Sequence, residues 1–100
     1  MKKDIIGEEK IDHYFDVARR ALDEAEMIVP KGSHLDIVAR DFYDMASRYY
    51  DDARYYYDKK DDAVTAFASL NYLHGYLDAG ARLGVFRVQS NELFAFEEER

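Results

Sequence analysis

The chain has 100 residues, 48% of them hydrophobic and 15% aromatic, no cysteine, and a formal net charge of −7. That length supplies one domain with a real core but not two, and the apolar content excludes intrinsic disorder. The lack of cysteine excludes a disulfide framework, thiol catalysis and the common zinc motifs, while 21 acidic against 14 basic side chains exclude a nonspecific grip on nucleic acid, which needs clustered Lys and Arg.

The opening MKKDIIGEEK lacks the apolar run of a signal peptide, and no stretch approaches the ~20 apolar residues of a membrane span, so a cytoplasmic protein without membrane contact is expected. The spacing of Ile11, Tyr14, Phe15, Ala18, Leu22, Ala25 and Val29 predicts a first helix over about 8–29, with Glu8 and Glu9 at its positive end and Pro30-Lys31-Gly32 stopping it. Ser33 reads as the N-cap of a second helix, with Asp36 three residues on in a capping-box-like position. Its stripe is Leu35, Val38, Ala39, Phe42, Met45, Ala46, Tyr49, Ala53 and Tyr56, giving a helix over about 34–58. The run Asp58-Lys59-Lys60-Asp61-Asp62 is short enough only for a tight turn, in which Asp61 or Asp62 caps the next helix.

The third helix, over about 62–83, is apolar almost all round, which marks it as the central element. Gly84 is a natural helix-ending residue, and Arg82 suits the negative end of the dipole. Residues 85–100 alternate too weakly for a helix but carry Val85, Phe86, Val88, Leu93, Phe94 and Phe96, and are expected to lie as an extended tail along the bundle. Two short connections force antiparallel neighbours. The expected fold is therefore all-α, a three-helix up-and-down bundle forming a single domain over 1–100.

From Tyr49 to Phe86 the text YYDDARYYYDKKDDAVTAFASLNYLHGYLDAGARLGVF closely resembles the archaeal domain-of-unknown-function family 357. Ala53, Ala63, Ala66 and Ala68 match its alanine spacing, and the HGYLDAGARLG run from His74 to Gly84 recurs in it, followed by an apolar tail like Leu93-Phe94. The resemblance implies a small helical bundle in archaeal cytoplasm and carries no assigned activity.

Four constellations bear on function. Asn71, His74, Asp78 and Arg82 fall within or beside the arc of the third helix that holds Leu70 and Leu77, so they form either a satisfied polar network or a ligand site in which Asp78 fixes the His74 tautomer. Nine tyrosines cannot all point inward. Tyr50, Tyr57, Tyr72 and Tyr76 fall off the main stripes and are the expected partner surface, since tyrosine buries much area at little entropic cost. Nearby Asp51, Asp52, Asp58, Asp61 and Asp62 argue against stacking on single-stranded nucleic acid. Asp41, Asp44, Asp51 and Asp52 lack the Glu-x-x-His pairs of helical di-metal proteins and read, with Arg48, as intrahelical ion pairs on a wet face. His13 and His34 share no spacing with His74 and read as solvated.

No Gly-rich phosphate loop, Gly-x-Ser-x-Gly or cysteine nucleophile occurs, so no catalytic residue, metal or cofactor is expected. The functional expectation is a non-enzymatic module for protein interaction or self-association. Its alternative is a small-molecule binder with a polar pocket around Asn71, His74, Asp78 and Arg82.

Overall fold

Helices α1 (Glu8–Glu24), α2 (His34–Lys60) and α3 (Ala63–Leu83) make up most of residues 7–87, the part of the chain that the computed structural model describes. Two short strands, β1 (Glu26–Met27) after α1 and β2 (Phe86–Arg87) after α3, pair antiparallel, with Glu26 opposite Arg87 and Met27 opposite Phe86.

Local chemistry fixes where α2 and α3 begin and end. Ser33 Oγ accepts the Asp36 N–H at 3.1 Å, and the Asp36 carboxylate reaches back to accept the Gly32 N–H at 2.7 Å and the Arg40 guanidinium at 2.9 Å. These bonds give the buried Asp36 side chain its partners. At the other end α2 runs to Lys60, two residues past the expected stop, because Asp61 takes the left-handed conformation (φ 52°) and the Asp62 N–H closes onto the Tyr56 carbonyl at 2.9 Å. Asp62 then caps α3, accepting the Thr65 N–H at 3.0 Å. Gly84 ends α3 at φ 90°, with its own N–H on Ala81 and the Val85 N–H on Gly80, a Schellman closure.

The helices form the expected up-and-down bundle. Phe15 touches Tyr50 and Tyr57, and the Tyr43 hydroxyl donates to the Leu22 carbonyl at 2.8 Å, so α1 runs antiparallel to α2. Phe42 meets Tyr76 and Tyr49 meets Tyr72, so α2 in turn runs antiparallel to α3. The α2–α3 interface is much the largest. It is built from Ala39, Ala46 and Ala53, seven residues apart on α2, against Ala66, Leu70, Leu73 and Leu77 of α3. Small residues at heptad spacing let two helix backbones approach closely, and α1 closes this core with Ile11, Phe15, Ala18, Ala21 and Leu22.

The structure changes two expectations and bears out part of a third. First, α1 stops at Glu24 rather than near 29. Residues 26 and 27 leave the helix to pair with β2, and the Ile28 N–H donates to the Val85 carbonyl. Ala25 and Val29 still pack on the core, but from this extended segment. Second, Leu35 is exposed, because the face of the first turn of α2 that turns inward belongs to Asp36. Third, Val85 and Phe86 are buried as the start of the tail requires, whereas Val88, Leu93, Phe94 and Phe96 lie outside the described residues.

Candidate functional site

The α2–α3 hairpin has two aromatic faces. One is covered by α1: Tyr14 packs on Phe67 of α3 at 4.7 Å between ring centroids, and Phe15 sits between Tyr50 and Tyr57 of α2 with the Arg54 guanidinium 4.2 Å from its ring. On the opposite face Tyr49 stacks on both Tyr72 (5.3 Å) and Tyr76 (5.9 Å), and Tyr76 meets Phe42 edge-on at 5.6 Å. Among the described residues no element lies across this second face. Tyr72 is 61% exposed.

A concavity of about 300 Å³ opens there, lined by Phe42, Asn71, Tyr72, Gly75, Tyr76 and Ala79. Its walls are almost wholly apolar. The sequence places it there because Tyr72 and Tyr76 are one helical turn apart and lean toward α2, while Gly75 and Ala79 leave the helix surface bare beside them.

The polar set expected to surround a pocket is divided by the helix. Only Asn71 reaches the concavity. His74 and Asp78 lie within ~40° of Phe67 on the helical circumference and so belong to the flank that α1 covers. Burial there holds the His74 imidazole below its ordinary pKa, which favours the neutral ring. Asp78 does not hold His74. Its Oδ2 accepts from Arg82 Nε at 3.2 Å, one turn on, while its Oδ1 is buried without a hydrogen-bond partner among the described residues, as is Glu24 Oε1. Sequence reasoning missed Glu24, because its burial depends on how the end of α1 meets its neighbours and not on any local pattern.

The four tyrosines expected on a partner surface also divide. Tyr72 and Tyr76 form the open face, whereas Tyr50 and Tyr57 fill the α1–α2 seam against Phe15. Tyr49 and Phe42, assigned to the core stripe of α2, belong beside Tyr72 and Tyr76. The carboxylate run behaves as an exposed charged face: Asp44 accepts from Arg48 at 3.0 Å, and both side chains are more than half exposed. His13 and His34 are exposed. Among the described residues no three His, Asp or Glu side chains converge as a metal site would require, and no helix is long and apolar enough to cross a membrane.

With this geometry established, comparison with known proteins gives one match. The family model described as protein of unknown function (DUF357) matches residues 13–86, and the chain belongs to that family. No curated protein matches. No solved structure matches either.

Proposed function

We propose that this member of the DUF357 family is a non-enzymatic, cytoplasmic module of archaeal type whose work is protein interaction, and that the open face of the α2–α3 hairpin is the surface it offers. The observation that carries this reading is the row of Phe42, Tyr49, Tyr72 and Tyr76, in ring-to-ring contact, with no element across them among the described residues. Stacked tyrosines suit a surface that must meet both water and protein. Each ring is already held by its neighbours, so little freedom is lost on binding, and a tyrosine ring with its polar hydroxyl suits a surface that is wet when bare.

A small-molecule binder is the second reading, and the concavity beside Gly75 favours it. Its volume is at the lower end of ligand pockets, ~300 to 1,000 Å³. However, Asn71 is its sole contribution from the polar set, which suits an apolar guest rather than a charged one.

A photo-crosslinking side chain placed at Tyr72, on the open face, and separately at Asp16, on the exposed side of α1, tests the interaction reading in whole cells. The Tyr72 position should give a discrete species of higher mass that the Asp16 position does not. Equal crosslinking from both positions, or none from Tyr72, overturns the reading.

A further inference from the structure

The seam between α1 and α3 has an open outer lip. The two helices run parallel, since each is antiparallel to α2, and the contact of Tyr14 with Phe67 sets their relative height. Glu24 follows Tyr14 by ten residues and Asp78 follows Phe67 by eleven, so at about 1.5 Å per residue both carboxylates stand ~15 to 17 Å beyond that contact. Both also turn outward. Glu24 is about 80° round α1 from Tyr14, away from the Phe15 side that meets α2, and Asp78 is about 20° round α3 from Phe67, away from Leu70 and Leu77. Along the lip below them Tyr14 and Val17 of α1, and Phe67 and His74 of α3, are only partly buried.

Two oxygens are stranded at the top of this groove. Glu24 Oε1 and Asp78 Oδ1 are buried and have no hydrogen-bond partner among the described residues. Asp78 uses its other oxygen on Arg82. Glu24 is the last residue of α1, whose final turn has no basic side chain, so its charge faces the negative end of the helix dipole. Buried carboxylate oxygens call for donors, and two of them at one height on neighbouring helices can be served by a single segment laid between.

The ladder points such a segment at them. Because β2 is antiparallel to β1, the chain past Arg87 leaves toward the exit of α1. The register that sets Glu26 opposite Arg87, and the Ile28 N–H on the Val85 carbonyl, carries on to Val88 opposite Ala25 and Gln89 opposite Glu24. Side chains of an extended segment alternate, so Gln89 turned to α1 sets Ser90 toward α3, the side of Asp78. Both are uncharged donors. Four or five further extended residues descend ~13 to 17 Å, which brings Leu93 and Phe94 level with Tyr14 and Phe67.

We infer that the C-terminal segment 88–94 is the occupant of the α1–α3 groove, with Gln89 donating to Glu24 Oε1, Ser90 donating to Asp78 Oδ1, and Leu93 and Phe94 covering the lip at Tyr14 and Phe67. The segment acts as a strap that holds α1 against the hairpin. This inference does not depend on the interaction reading, and it leaves the tyrosine face open to a partner.

The chain has no cysteine, so a thiol placed in it reports from one position only. In the full chain Leu93→Cys should react with a thiol reagent far more slowly than it does in urea. Adding Glu24→Ala or Gln89→Ala should speed that reaction about tenfold, the worth of a hydrogen bond to a charged group. The two together should speed it no more than either alone, as expected of partners in one contact. Ser69→Cys, buried in α3, should react no faster in the Glu24→Ala background, which separates release of the strap from unfolding. On oxidation, Leu93→Cys should form a disulfide with Val17→Cys and not with Tyr72→Cys. A thiol at position 93 that reacts at its urea rate overturns the inference, and so does one that is protected but indifferent to Glu24→Ala. A disulfide to position 72 in place of position 17 overturns it too, by giving the segment to the tyrosine face.

Discussion

The two faces of the α2–α3 hairpin are made from the same chemistry and meet different fates. Each carries aromatic rings on the flank of an alanine and leucine seam, but α1 lies across one, and among the described residues nothing lies across the other. The difference resides in α1, whose inward stripe of Ile11, Phe15, Ala18 and Leu22 backs onto an outward face of Asp, Glu, Arg and Lys. It is a helix made to cover one surface and be wetted on the other. By contrast the outward side of α3 carries a single ion pair, Asp78–Arg82, among mostly uncharged side chains. A surface rich in tyrosine can wait uncovered where one rich in leucine would aggregate, and that is how a small domain keeps a site open in water.

The comparison is broken most directly by truncating a ring on each face. Phe15→Ala, in the covered seam, should lower the unfolding free energy by about 3 to 5 kcal/mol, as for other buried phenylalanines. Tyr72→Ala, on the open face, should lower monomer stability only by about 0.5 to 1.5 kcal/mol, the worth of its stack on Tyr49, as measured by urea denaturation. Comparable losses at the two positions would mean that the second face contributes to the core of the monomer and is not a site in waiting.

Gly80→Ala sharpens the same contrast within one helix. Its added methyl must displace the Phe86 ring, which is held between Gly80 and Tyr43, so stability should fall by about 1 to 3 kcal/mol. The sign is opposite to that expected for Gly75→Ala, where the added methyl meets nothing within 4 Å among the described residues and alanine favours the helix. Thermal melts of the two variants side by side read it.

The smallest effect concerns the covered flank, where His74 is held neutral by burial. Because its folded pKa is lowered, the unfolded chain takes up the proton first as pH falls below the ordinary histidine value of about 6.5. The stability that a neutral His74 allows is complete above that pH and is lost progressively on acidification toward the folded value. His74→Gln should flatten the stability profile between about pH 7 and 5. An unchanged slope in that variant would place the titration elsewhere.

Much of the architecture is legible in the sequence, for reasons that are local. Ser33, Asp62 and Gly84 announce helix ends because a cap is a contact between neighbours in the chain. The end of α1 is not announced. Ala25 and Val29 continue the apolar spacing of a helix, and only the distant Phe86–Arg87 strand, absent from any local window, draws Glu26 and Met27 out of it. The polar set in α3 is misleading for a related reason. His74 and Asp78 flank Phe67, which itself is only half buried, so proximity to an apolar residue on the helical wheel placed them nearer the centre of the core than they are. Tyr50 and Tyr72 look alike in sequence. What separates them is which side of the hairpin α1 chooses.

The β1–β2 pairing has a consequence for the order in which the molecule assembles. The α2–α3 hairpin is joined by a two-residue turn and can form from neighbouring stretches of chain, whereas the ladder joins residues some sixty positions apart. Closing a loop of that length costs entropy before any contact repays it, although the cost grows only with the logarithm of the length. Contact order therefore predicts that the ladder closes after the α2–α3 hairpin has formed. The ladder ties the exit of α1 to the exit of α3, whereas the contacts that seat α1 on one side of the hairpin, Phe15 with Tyr50 and Tyr57 and Tyr43 with Leu22, close shorter loops.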